Sequence, residues 1–300
     1  MYHFHAGEIV EVRSEPEILA SLDGDGTLEG VPFMPQMWQY CGRKFRVFKR
    51  ADKICVEGAY ISRMRDAVFL EGVRCGGDAL DGCQRMCMTF WKEQWLKKAG
   101  SAAPDELQVH GISALSAGPP TPLEKDKVYF CQSTNIRKAT QHLPSWDLRQ
   151  YIRDFTSGNF TLGQIAKALY IDMYNRIMRF TGGPEFGAAR GEGTITPAVS
   201  LNLQPGELVE VKSRDEIIAS LDAKGRNRGL SIDHEMLRHS GRRFRVLVRV
   251  DRIILETTGK MKEIRDTVLL EGVTCEGLCR RACSRNSYPM WREAWLKRVE

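Results

Sequence analysis

The chain has 300 residues, a net charge of +6 from 44 Lys and Arg against 38 Asp and Glu, and 42% apolar residues, a balance ordinary for two or three soluble globular domains. No apolar run is long enough to span a bilayer. The opening Met1 to Gly7 lacks a basic stretch followed by a long apolar one, so a cytoplasmic location is the expectation. Nine cysteines in a reducing compartment point to metal ligation or redox work rather than structural disulfides.

The first 98 residues open with Gly7-Glu-Ile-Val-Glu-Val12, whose alternation of apolar and charged residues predicts a half-buried strand. Ser14, with Glu17 three residues on, forms a capping-box pattern and predicts a short helix through Ile18, Leu19 and Leu22. Asp23-Gly-Asp-Gly26 predicts a turn. A strand follows Gly42, with Phe45 and Val47 alternating with Lys44 and Arg46, and another covers Ala67 to Val73. A closing strand holds Trp95 and Leu96, with Trp91 just before it. Residues 99–127 carry Gly-Ser-Ala-Ala-Pro and Gly-Pro-Pro-Thr-Pro and read as a flexible linker. Residues 128–182 read as a helical middle segment. It has helical spacing from Trp146 to Phe155, a stop at Ser157-Gly-Asn159, and a second helix capped by Thr161 and Gln164 that runs to about Phe180. Its apolar faces are expected to pack on the flanking domains or on each other. Residues 183–203 read as a second linker.

From residue 204 to 300 the first pattern returns. Gly206-Glu-Leu-Val-Glu-Val211, the Ser213/Glu216 capping pair, Gly241 with Phe244 and Val246, Thr267 to Val273, and Trp291 and Trp295 answer the segments of 7–98. Such internal duplication sets the domain map. Short strands, turn glycines and one small helix in under 100 residues predict a small β-barrel in each copy. The entry Gly-x-x-Val-x-Val, followed by Gly-x-x-Phe-x-Val, resembles SH3-like barrels, the barrel of nitrile hydratase β subunits being the nearest likeness. The wider layout resembles a bacterial family with the same tandem repeat. The likeness lies in Pro32-Phe-Met-Pro-Gln-Met37, Leu-Glu-Gly-Val-x-Cys and Trp-x-Glu-x-Trp-Leu; it implies the fold and no particular activity. The expected fold is therefore mainly β with α, two SH3-like barrels flanking a helical hairpin.

The cysteines carry the chemistry. Cys75 and Cys275 end the same strand, and each precedes a loop with a Cys-x-x-x-Cys pair, Cys83/Cys87 and Cys279/Cys283. Cys55, on the loop after the preceding strand, completes a four-thiolate set with Cys75, Cys83 and Cys87 in this reading. The second copy has Ile254 in place of Cys55, so Cys275, Cys279 and Cys283 need a ligand from elsewhere, Cys131 or His239, or stay open. Four thiolates fit tetrahedral zinc or a [4Fe–4S] cluster. Zinc is placed slightly ahead, because structural zinc commonly supports a thin core. Buried free thiols are the plain alternative, and Cys41, opposite Ser240, is read that way.

Other residues offer chemistry beside them. The basic stripe Arg43, Lys44, Arg46, Lys49, Arg50, Lys53 recurs as Arg242, Arg243, Arg245, Arg249 and Arg252. Arg43, Arg46, Arg242 and Arg245 are the candidate nucleic-acid contacts, against a solvated strand edge. Matched tryptophans are expected in the cores. Met34, Met37 and Trp38 form a Pro-bracketed loop that either packs or faces a partner, Glu71 and Glu271 are exposed carboxylates or acid–base groups, and His3 and His5 have ligand-compatible spacing. No G-x-S-x-G elbow, P-loop, dinucleotide glycine cluster or H-E-x-x-H occurs. The leading expectation is a metal-binding accessory or scaffold protein whose cysteine loops meet a protein partner or small-molecule ligand. An iron–sulfur redox enzyme or electron-transfer protein using Cys275, Cys279 and Cys283 is the alternative, and a nucleic-acid-binding module the third.

Overall fold

The computed structural model describes residues 3–57, 60–100, 103–105, 126–194 and 196–299, and the architecture is mainly β with few helices. The first copy begins with β1 (Ile9–Val12), where Val10 and Val12 are fully buried between half-buried neighbours. In the short helix α1 (Glu15–Leu19), the Glu17 carboxylate accepts the Ser14 amide at 3.0 Å, closing the capping box. The Asp23 carboxylate accepts the Thr27 amide at 2.8 Å and starts a two-residue hairpin, β2 (Thr27–Leu28) and β3 (Val31–Pro32). Then come β4 (Lys44–Arg50), β5 (Ile54–Val56), β6 (Tyr60–Arg63), β7 (Ala67–Arg74), β8 (Met88–Lys92) and β9 (Leu96–Lys98).

Five of these strands form one antiparallel sheet in the order β8-β7-β4-β1-β9. β8 and β9 are its two edges, yet only the turn Glu93–Trp95 separates them in the chain. A flat five-stranded sheet would hold its edges about 19 Å apart, whereas four Cα steps reach at most about 14 Å. The sheet therefore curls until its edges nearly meet. Inside the curl lie Phe45, Val47, Leu70, Trp91 and Trp95, all essentially inaccessible to solvent.

The second copy has the same plan: β11 (Leu208–Val211), β12 (Arg226–Asn227), β13 (Leu230–Ser231), β14 (Arg243–Arg249), β15 (Arg252–Ile254), β16 (Met261–Glu263), β17 (Thr267–Leu270), β18 (Trp291–Arg292) and β19 (Leu296–Arg298). Its sheet runs β18-β17-β14-β11-β19. The bulge between Val47 and Lys49 in the first sheet recurs between Val246 and Val248 in the second. Trp95 and Trp295 donate their indole N–H to Ser21 and Ser220, both at 3.1 Å.

In each copy a buried carboxylate in the turn between the edge strands ties down the segment that precedes the first strand. Glu93 accepts the Phe4 amide and pairs with Arg50. Glu293 accepts the amides of Leu201, Asn202 and Leu203 and pairs with Arg249. Leu201, Asn202 and Leu203, at the end of the stretch expected as a linker, are thus strapped onto the second copy, where the Gly191 amide also donates to the Asp222 carbonyl at 3.0 Å. Residues 106–125 of the first linker lie outside the described residues.

The middle segment differs from its all-helical expectation. Tyr129, Cys131 and Ile136, in turns, are buried in the first copy's core. The Gln132 side chain mimics a strand neighbour, accepting the Phe90 amide at 2.7 Å and donating to the Phe90 and Pro32 carbonyls at 2.9 Å. The strand β10 (Gln141–His142) pairs with β6, and helix begins only at α2 (Arg149–Thr156), followed by α3 (Leu162–Thr181). Their inner faces, Tyr151, Ile165 and Ala168, close over Leu278 and Ala282 of the second copy's cysteine loop. The packing expectation holds for that face alone: Leu162, Met173, Ile177 and Phe180 are exposed. Two further one-turn helices, α4 (Arg214–Ala219) and α5 (His234–Leu237), belong to the second copy.

Candidate metal centres

The two copies exchange parts at their cysteine loops. The β5–β6 hairpin of the first copy reaches the loop of the second, and the β15–β16 hairpin does the reverse. The Cys55 amide donates to Cys283 Sγ at 3.0 Å, and the Ile254 amide to Cys83 Sγ at 3.3 Å. The Ser284 amide meets the Lys53 carbonyl at 2.9 Å, and the Gln84 amide meets the Arg252 carbonyl at 3.0 Å. Arg285 donates to the Cys55 carbonyl and Arg85 to the Ile254 carbonyl. The Glu57 and Glu256 amides each donate to the other's carboxylate, at 2.8 and 3.3 Å. Such reciprocity is the signature of a pseudo-twofold relation between the copies. Arg85 pairs with Glu57 and Arg285 with Glu256 at its centre. Burial alone disfavours the Arg285 charge, but Glu256 more than offsets it and keeps the guanidinium firmly protonated.

This crossing reassigns the fourth thiol of each set. Cys75, Cys83, Cys87 and Cys131 line one cavity of about 30 Å³, closed by Met34, Gln36, Arg85, Gln132, Ser133 and Ile254. Cys131, expected at the second set, belongs to the first, because Gln132 docks the middle segment on β8. Cys55, expected at the first set, belongs to the second, where its amide donates to Cys283 Sγ. Ile254 fills the equivalent place in the first copy's core. His239 supplies no ligand: it is buried with its ring edge-on to Phe244 and Trp291, as Tyr40 is to Phe45 and Trp91.

The two Cys-x-x-x-Cys pairs are also not equivalent. Gly77 and Gly277 both adopt positive φ (78 to 80°), and a Cβ on either would lie 2.0 Å from the carbonyl of Cys83 or Cys283. That close approach puts Cys83 opposite Cys283, so Cys87 faces Ser287 and Cys279 faces Ala79. The copies share two thiol positions, and each adds one thiol from its own loop and one from outside it. Of nine cysteines, none in a disulfide, only Cys41 stays out of both sets.

Electrostatics differ between the sets. Burial, then the neighbouring Cys87, pushes the Cys75 thiol well up and Cys83 up to about 11. Cys131 is raised by burial. In the second set, burial raises Cys275 and takes Cys279 up to about 12, with the Glu235 and Asp233 carboxylates adding to both. Cys55 is held below the usual thiol range by its hydrogen bond with Cys283, which is pushed above it. The thiols raised in this way, Cys75, Cys83, Cys131, Cys275, Cys279 and Cys283, stay protonated until a cation compensates them, and metal binding then releases their protons. Spacing bears on which cation fits. Among the described residues no three cysteine sulfurs lie within 4.8 Å of one another. A zinc tetrahedron with Zn–S of about 2.3 Å needs sulfurs about 3.8 Å apart. A cubane cluster is several ångströms across and holds its thiolates wider.

The remaining candidates have structural roles. Arg46 and Arg245 donate to the Gly7 and Gly206 carbonyls, and Arg46 pairs with exposed Glu71. Arg43 and Arg242 sit over Phe45 and Phe244. Arg50, Lys53 and Arg252 are buried, and Arg243 and Arg249 pair with Glu210 and Glu293. Part of the basic stripe is thus neutralised in place by these pairings. Met34 and Met37 are buried, so the Pro-bracketed loop presents no methionine to a partner. His3 Nδ1 lies 3.9 Å from both Asp66 and Glu93, a grouping that ligand chemistry permits, with Glu93 already anchored by Arg50 and Phe4. His5 lies beside Glu8.

No helix among the described residues is long and apolar enough to cross a membrane. No family model, curated protein or solved structure matches the chain.

Proposed function

We propose that the chain is a two-centre iron–sulfur protein of the electron-transfer kind, built on two SH3-like barrels. Cys75, Cys83, Cys87 and Cys131 hold one [4Fe–4S] cluster, and Cys55, Cys275, Cys279 and Cys283 hold the other. The observation that carries this reading is the gathering of eight cysteines into two crossed sets of four, with no three of the described sulfurs within 4.8 Å of one another. A [4Fe–4S] cluster supplies one-electron storage at a potential tuned by its surroundings. Four thiolates per set leave no iron open to substrate, which favours electron transfer over catalysis at the cluster. The crossed arrangement follows a known logic: in two-cluster ferredoxins a cysteine of one run ligates the other cluster. The chain's own residues shield both sets, with Cys83, Cys131 and Cys283 buried and the other five thiols half-buried, and place the ion pairs Arg85–Glu57 and Arg285–Glu256 between them.

The test is metal analysis of anaerobically purified full-length protein. The expected result is a brown protein with broad visible absorption and about eight iron and eight sulfide per chain. A colourless protein with two zinc ions per chain would overturn the reading in favour of a structural zinc scaffold.

A further inference from the structure

Gln36 and Glu235 stand at the same place in the two copies, each one residue before a buried methionine, Met37 or Met236. The Gln36 Nε2–H donates to Cys75 Sγ at 3.4 Å. The Glu235 carboxylate accepts the amides of Glu276, Leu278 and Cys279 at 2.8, 3.1 and 3.4 Å, and its charge bears on Cys275 and Cys279. The same contrast recurs two residues earlier. Met34 lines the first set's cavity, whereas Asp233, exposed at its own surface, caps α5 through the Met236 amide. Most other features are balanced. The amide-to-sulfur bonds from Ile254 and Cys55 are counterparts. Cations lie near both sets: Arg74 and Arg85 by the first, Lys49, Lys53, Arg238 and Arg280 by the second, and Arg285 between Cys55 and Cys87.

We infer that this one position ranks the two centres, so that the Glu235 centre has the lower reduction potential and passes its electron to the Gln36 centre. The inference rests on the two-cluster reading. An added electron is opposed by a neighbouring carboxylate and favoured by an N–H donated to a ligand sulfur, since net charge and sulfur hydrogen bonds set cluster potentials. In the transfer one electron leaves the reduced lower-potential centre and enters the oxidised higher-potential one. No bond or proton changes hands, and a low-potential one-electron donor of the dithionite class refills the first.

The experiment is an electron paramagnetic resonance titration of the full chain with dithionite, with iron and sulfide measured on the same sample. The expected result is two separate one-electron steps. Glu235→Gln raises the lower midpoint alone and Gln36→Glu lowers the upper one alone. Each changes the electron distribution about tenfold, about 59 mV for one electron. A single shared midpoint, or swaps that move neither step, in a protein that does hold both clusters overturns the inference alone. Absence of iron and sulfide overturns it together with the reading beneath it. Should Glu235→Gln fail to fold for want of its loop-capping carboxylate, Gln36→Glu decides.

Discussion

Replacing Lys53 with methionine breaks the buried ion pair that joins three parts of the molecule. Lys53 lies in the β4–β5 corner of the first copy and is 1% exposed, like its partner Asp154 in α2. Its ammonium also sits 4.3 Å above the Tyr151 ring, and its carbonyl accepts the Ser284 amide of the second cysteine loop. Removing one member of such a pair leaves an uncompensated buried charge and costs about 3–5 kcal/mol. Lys53→Met with Asp154→Leu removes both charges and is expected to be neutral or stabilising by about 1–4 kcal/mol. The deficit of the single variant depends on pH. Burial, opposed in part by Lys53, already raises Asp154 to about 6, against about 3.9 in an unfolded chain. A raised carboxyl contributes stability that is complete below about pH 3.9 and is lost as pH rises through the folded value, here about 6. Methionine at position 53 raises it further, so the deficit grows between pH 5 and pH 8. Urea denaturation followed by tryptophan fluorescence at both pH values measures it. A pH-independent deficit below about 1 kcal/mol, or a double variant as weak as the single one, would refute the reasoning.

Two further outcomes follow from the loops. Gly77→Ala forces a Cβ to 2.0 Å from the Cys83 carbonyl at positive φ, which costs more than about 1 kcal/mol and empties the first centre while the second still loads. Gly277→Ala does the reverse, as iron and sulfide per chain will report. Cys41→Ser leaves both loads unchanged, since Cys41 packs half-buried beside the first core and outside both sets.

Local features were legible in the sequence because their causes are local. The alternation of β1 and the capping boxes at Ser14, Thr161 and Ser213 lie where the patterns put them. The four matched tryptophans are fully buried. What the linear reading missed are contacts between the copies. Cys55 reads as a ligand for its own barrel because nothing in Ile54-Cys55-Val56 says that the hairpin crosses to the other one. Cys131 reads as a ligand for the second set because its docking on the first depends on Gln132 replacing a strand partner at Phe90. One signal was available: the constant offset that takes Cys75 to Cys275 and Trp91 to Trp291 also takes Cys83 to Cys283 and Cys87 to Ser287. It shows that similar Cys-x-x-x-Cys spacing hid different positions. Residues 128–140 depart from the helical expectation because segments held by tertiary contacts carry no periodicity to read.

The crossed assignment of Cys55 is the claim on which the two centres stand, and Cys55→Ser with Cys131→Ser tests it directly. Iron and sulfide are counted per chain in both variants and in the double variant Cys55→Ser with Cys279→Ser. The account predicts that the double variant loses no more than Cys55→Ser alone, because both thiols serve one centre, while Cys131→Ser depletes the other. Equal, additive losses from Cys55→Ser and Cys279→Ser, or a Cys55→Ser loss that overlaps that of Cys131→Ser, would contradict it.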